Sequence, residues 1–137
     1  MFGLIAAAVM LLGAILIYVV VLPAIGQAPN QAQLTKIQRM PVWFEVMLLL
    51  RAPIFEETFY RGFAISRLTE ILRSRWAAAA ISLAAFTLAH LSFWGWSSLI
   101  PVAYEGAVLT ALYLWRGDLL SNVIAHFATD LVSFVAF

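Results

Sequence analysis

The chain has 137 residues, 64% of them hydrophobic and only 11% charged, where a soluble domain carries roughly 25% charged residues. That balance points to the membrane, and a net charge of +1 gives no footing for a nucleic-acid partner. The absence of cysteine excludes a disulfide framework, a thiol nucleophile and a cysteine zinc site. At about 20 residues per span, the length suits one all-α transmembrane bundle of about five helices.

Residues 1–22 read as an N-terminal transmembrane helix, because Phe2 to Leu22 is an uninterrupted apolar run closed by Pro23 and lacks the basic leader of a cleaved signal. Residues 23–40, with Pro23, Gly26, Pro29, Asn30 and several glutamines, read as a polar loop. A second helix begins near Pro41, a residue suited to a first helical turn. It passes the acidic pair Glu56–Glu57 and ends near Arg67, and Pro53 predicts a kink one turn before Glu57. Arg67 to Arg75 reads as an amphipathic connector at the membrane surface. Trp76 to Trp94 is the third span, Gly95 to Ser98 a turn, and Leu99 to Trp115 the fourth span. Arg116-Gly117-Asp118 is a tight turn before the fifth span, Leu119 to Phe137. Basic residues favour cytoplasmic loops. Arg67, Arg73, Arg75 and Arg116 outnumber Lys36 and Arg39, which predicts an inside N-terminus and an outside C-terminus.

A charged side chain at mid-membrane costs about 2.5–3.5 kcal/mol on insertion scales, so buried charge must be paired or functional. Three groups stand out: Glu56-Glu57-x-x-x-Arg61, Phe86-x-x-x-His90 and His126-x-x-x-Asp130. At 1.5 Å rise per residue, Glu56 lies about 16 Å from the Arg67 end of its helix and Asp130 about 16 Å from Leu119. On the same scale His126 lies about 10 Å from Leu119, Glu105 about 16 Å from Arg116, and His90 about 21 Å from Trp76. Four helices therefore put their polar residues in one slab, which predicts a shared site.

Glu57 and Arg61 share a helix face and can pair in the favourable order, which serves burial as readily as chemistry. Glu56 points about 100° away round the helix. It meets only Phe59 and Tyr60 at the spacings where a basic partner would sit, so its carboxylate is available as a general base or acid. A lone histidine such as His90 reads equally as a satisfied core residue, and Phe86 as a packing residue. His126 and Asp130 share a face, so the carboxylate can orient the imidazole. Glu105 either lines the same cavity or pairs with a histidine. The H-E-x-x-H zinc helix, the glycine-rich phosphate loop and the G-x-S-x-G elbow are absent from the sequence. Ser82, Ser92 and Ser133 are expected to bond their own helix backbones.

Taken in order, Phe55-Glu56-Glu57-Thr58-Phe59-Tyr60-Arg61-Gly62, Phe86-Thr87-Leu88-Ala89-His90 and His126-Phe127-Ala128-Thr129-Asp130 resemble the signature of a known family. It is the CAAX-protease and bacteriocin-processing (CPBP) family of intramembrane enzymes, which includes the type II CAAX prenyl proteases and lysostaphin-resistance-like proteins. The Ala52-Pro53 lead-in and the Arg116-Gly117-Asp118-Leu119 turn are also similar, and the likeness covers roughly residues 45 to 137.

The resemblance implies that residues 41–137 form a catalytic domain that hydrolyses a peptide bond of a membrane-associated peptide or protein. Glu56 would activate the water, with His90 holding the same water. His126, supported by Asp130, would stabilise the oxyanion, while Glu57 and Arg61 would hold the helix and the site in place. No cofactor is expected. The alternative is zinc held by Glu56, His90, His126 and Asp130. The expected partners are a membrane-embedded or membrane-associated peptide substrate and the lipid bilayer, in a prokaryotic plasma membrane. A competing reading is a non-enzymatic bacteriocin-immunity or interaction protein of the same fold. Two departures matter. An ionised Asp130 cannot donate to an oxyanion as Asn can, so it would be protonated or would act by orienting His126. Only one clear span precedes the motif helix, so the chain is a minimal member, a fragment, or a protomer whose bundle a second copy completes.

Overall fold

The computed structural model describes residues 1–28 and 31–136. Pro29 and Asn30 of the expected loop, and Phe137 at the expected end of the fifth span, lie outside the described residues. The first helix, α1 (Phe2–Ala24), buries one face, with Met10, Ile17 and Leu22 among small residues, and exposes a large apolar one. Ala6, Ala7 and Ala14 are buried, while Leu4, Leu12 and Val19 are exposed. That distribution suits a helix whose outer face meets lipid.

The stretch expected as loop contains a helix, α2 (Gln31–Gln38). Its Gln, Ala, Leu and Lys residues are good helix formers, and neither Gly nor Pro interrupts them. Ile37 is buried and anchors it.

Residues 42–72 form one continuous helical unit, α3. Pro53 lies inside it, and beyond Pro53 residues 57–64 wind in wide π-type turns. Such turns concentrate at functional sites because they rotate side chains out of the ordinary helical register. The helix runs past Arg67 to Leu72, so most of the expected surface connector is its last turns. It stops where Arg73 takes a left-handed conformation at φ 55°. Ser74 then caps the next helix, its Oγ accepting from the Ala77 amide at 3.3 Å.

That helix, α4 (Arg75–Ala89), breaks at His90 and resumes over Leu91–Trp94. A single 3-10 turn leads into α5 (Leu99–Arg116). Gly117 closes α5 at φ 63°, a conformation that glycine adopts without strain. Asp118 receives the Leu120 amide at 2.9 Å and so caps α6 (Leu119–Ala136).

The architecture is the expected all-α bundle. Phe2–Ala24, Arg75–Trp94 and Trp96–Arg116 are each long and apolar enough to cross a membrane. The apolar part of α6, Leu119–Phe134, is shorter, and α3 carries seven acidic or basic side chains between residues 42 and 72. Five spans are therefore an approximation, and the helix bearing most of the charged motif departs from it most.

Helix α1 packs along α5 and α6 through Ala6, Met10, Leu109, Leu112 and Ala125. A second core joins α3, α4 and α5 through Ile65, Ala78 and Ala79, backed by Leu68, Tyr113 and Leu114. A tight crossing near the charged groups is at Gly106, where an added Cβ would lie 2.8 Å from a Leu83 methyl and 2.9 Å from the Phe86 ring. Small residues allow such close approach between helices in a bilayer. Gly106→Val should therefore overpack the crossing and destabilise the protein by about 1–3 kcal/mol. A thermal melt of the purified protein in detergent checks this, and an unchanged midpoint would contradict the packing described.

Candidate active site

The buried charge is organised around Glu57, whose side chain is fully enclosed. Arg61 Nη1 donates to its Oε1 at 2.8 Å, one turn along α3. His126 Nδ1, from α6, meets the same oxygen at 2.9 Å. Asn122 Nδ2 donates to Oε2 at 3.0 Å and also to the Leu109 carbonyl at 2.8 Å. A carboxylate paired with Arg61 can only accept, so His126 Nδ1 carries the proton and Nε2 is left for other work.

Arg61 is itself 1% exposed. Its Nη2 donates to the Gly106 carbonyl at 3.0 Å, and its guanidinium carbon lies 4.3 Å from the centroid of the Phe86 ring. The cation thus has a carboxylate, a carbonyl and an aromatic face as partners, which is how a bilayer protein tolerates a buried arginine. Ser82 Oγ donates to the Tyr60 carbonyl at 2.7 Å and ties α4 to the π-type turns of α3.

Beside this network lies a cavity of about 490 Å³, lined by Glu56, His90, His126 and Asp130 together with Tyr60, Trp94 and mainly apolar side chains. His90 sits at the break after α4, and its Nδ1 is 2.7 Å from the Phe86 carbonyl. A carbonyl only accepts, so Nδ1 is the donor and Nε2 faces the Glu56 carboxylate at 3.8 Å. That separation exceeds a direct hydrogen bond. Glu56 Oε2 is buried and has no hydrogen-bond partner among the described residues, which is unusual for so polar an atom. His126 and Asp130 also line the cavity, with His126 Nε2 3.6 Å from Asp130 Oδ2.

The structure thus brings Glu56, His90, His126 and Asp130 from three helices onto one cavity, with Glu57 and Arg61 directly behind it. Glu105 is different. It is partly buried on α5 and does not line the cavity, and its carboxylate interacts electrostatically with Tyr18, Asp130 and His126. Asp130 was expected to orient His126. The closer partner is Glu57 at 2.9 Å, because α6 packs its His126 turn onto the Glu57 side of α3.

Ser82 also departs from expectation by bonding across to α3 instead of to its own helix. Asn122 was missed, although its sequence signal is plain: it precedes His126 by four residues and so shares the face of His126 and Asp130. Among the described residues, no three His, Asp or Glu side chains are grouped as a metal site.

Removing the cation of a buried pair typically costs about 3–5 kcal/mol because the partner is left uncompensated. Arg61→Met should therefore lower the melting temperature sharply or abolish monodisperse expression. Arg61→Lys should fall between it and wild type, since one ammonium cannot reproduce the planar fork. Size-exclusion profiles and thermal melts of the three proteins would show this, and a wild-type melt for Arg61→Met would remove the pair from its structural role.

The sequence profile described as type II CAAX prenyl endopeptidase Rce1-like matches residues 38–132, more than half of the chain and the whole of the region that builds the cavity wall from α3, α4 and α6 through Asp130. No curated protein and no solved structure shows significant similarity to the chain. With its apolar helices and this match, the chain is an integral membrane protein that belongs to the Rce1-like family of type II CAAX prenyl endopeptidases.

Proposed function

We propose that the chain is an intramembrane endopeptidase that hydrolyses a peptide bond of a membrane-associated peptide or protein with a water activated by Glu56. The observation that carries this reading is the buried Glu56 Oε2, without a hydrogen-bond partner among the described residues and 3.8 Å from His90 Nε2 at the cavity wall. Two acceptors aimed at one point can take the two protons of a single water, which polarises its oxygen for attack.

In the proposed reaction Glu56 removes a proton as the water oxygen bonds to the scissile carbonyl carbon. The carbonyl oxygen becomes an oxyanion, which a His126 imidazolium, protonated on Nε2 as well as on Nδ1, would stabilise. His126 is held for this by its Nδ1 bond to Glu57. As the tetrahedral intermediate collapses, the C–N bond breaks and the proton held by Glu56 passes to the departing nitrogen. One product ends in a carboxylate and the other in an amine. Asp130, 3.6 Å from His126 Nε2, would keep that ring turned towards the cavity. Surrounding apolar side chains limit bulk water and strengthen each of these electrostatic contacts.

A positioned general base contributes about 10²–10⁴-fold, so Glu56→Gln should lower kcat by that factor while leaving the melting temperature near wild type. His90→Ala should also lose most activity. Cleavage of a lipidated reporter peptide in proteoliposomes measures both, and wild-type turnover by Glu56→Gln would sink the mechanism. If the cellular phenotype also survived Glu56→Gln, a non-enzymatic immunity or interaction role would take its place.

The metal-free form of the proposal predicts full activity after dialysis against a strong chelator. Loss of cleavage that zinc alone restores would recast Glu56, His90, His126 and Asp130 as ligands.

A further inference from the structure

Phe44, Leu48, Ala52, Glu56 and Tyr60 succeed one another at four-residue steps and place one stripe of α3 on the cavity. Arg51 flanks this stripe and also lines the cavity. Its guanidinium carbon lies 5.8 Å from the centroid of the Phe55 ring. Among the described residues no carboxylate lies within ion-pairing distance of it. The other arginines of α3 are paired, Arg61 with Glu57 and Arg67 with Glu70. The carboxylates that share the cavity face histidines instead, Glu56 towards His90 and Asp130 towards His126. Arg51 is exposed on the cavity side of α3, so with no carboxylate in reach its charge is open to an anion that enters the cavity beside Glu56.

We propose that Arg51 is a specificity residue that takes a carboxylate of the peptide substrate. The inference rests on the endopeptidase reading for its choice of ligand, because that reading puts a peptide in this cavity. Arg51 precedes Glu56 by five residues, about 7.5 Å along the helix axis. An extended peptide advances about 3.3 Å per residue, so the carboxylate would lie about two to three residues from the scissile bond. A guanidinium binds a carboxylate through two parallel, charge-assisted hydrogen bonds. The carboxylate is either the free C-terminus of the substrate or an acidic side chain near the cleavage point. Both present the same chemistry to Arg51.

Binding, not turnover, separates this inference from the endopeptidase reading. The full chain carrying Glu56→Gln, in lipid nanodiscs, is titrated against fluorescent palmitoylated decapeptides of Gly, Ala and Leu, with anisotropy as the readout. One peptide ends in a free acid, one in an amide, and one is the amide with an Asp third from its end. The free acid or the Asp peptide should bind roughly tenfold tighter than the plain amide, in line with charge-assisted bonding. Whichever does so names the source of the carboxylate.

Adding Arg51→Gln should bring that peptide down to the weak binding of the plain amide, and Arg51→Lys should recover part of the difference. Equal binding of all three peptides, or binding of none, overturns the proposal and leaves a lipid phosphate as the counter-ion of Arg51. A discrimination that Arg51→Gln does not alter overturns it too. Discrimination by Glu56→Gln protein, with no cleavage of any peptide by wild type, would support Arg51 and defeat the endopeptidase reading alone.

Discussion

The carboxylate of Glu57 is the interaction on which the bundle's interior depends. It sits with no solvent exposure among three nitrogen donors from two helices: Arg61 on its own helix, and Asn122 and His126 on α6. Arg61 extends the link to α5 through the Gly106 carbonyl and to α4 through the Phe86 ring. One anion thus fixes the relative positions of four helices. In a bilayer, where lipid tails are as apolar as the helix surfaces, packing and such polar ties hold helices together in place of hydrophobic collapse. An unpaired charge at that depth would be far more costly than the pair, so the network specifies one arrangement.

The adjacent glutamates divide the work by their direction alone. Glu57 faces the packed interior and is saturated with donors. Glu56 faces the cavity, and its Oε2 accepts no hydrogen bond among the described residues. A structural carboxylate needs its acceptors filled, whereas a base needs one free. Two successive residues on a helix can meet these opposite demands because they point about 100° apart. The π-type turns over residues 57–64 begin at this pair and let α3 serve the packed interior and the cavity from one stretch of chain.

The two histidines show how backbone and side-chain carbonyls set ring chemistry. Each has its Nδ1 engaged, His90 by the Phe86 carbonyl and His126 by Glu57, so each presents Nε2 to the cavity. A tautomer fixed by the partner of the other ring nitrogen is the usual way a protein assigns such a role. The His90 ring stands at the break in α4, and the Phe86 ring contacts both it, at 4.6 Å between centroids, and the Arg61 guanidinium, at 4.3 Å.

The sequence by itself determined the helical, membrane-embedded class, the Glu57–Arg61 pair, and a band of polar residues at similar depth, because periodicity, hydropathy and the cost of buried charge are local properties of the chain. It also left clues that local reading passed over, such as Asn122 at helical spacing from His126. What it could not show was which partner each side chain would choose. Glu57 as the tie between helices, Ser82 bonding to α3, Glu105 set apart from the cavity, and Arg51 lining it without a counter-ion all depend on how helices distant in sequence rotate and approach one another. Those rotations were settled by packing at places such as Gly106, where a missing side chain lets α4 and α5 close together, and only the tertiary structure contains them.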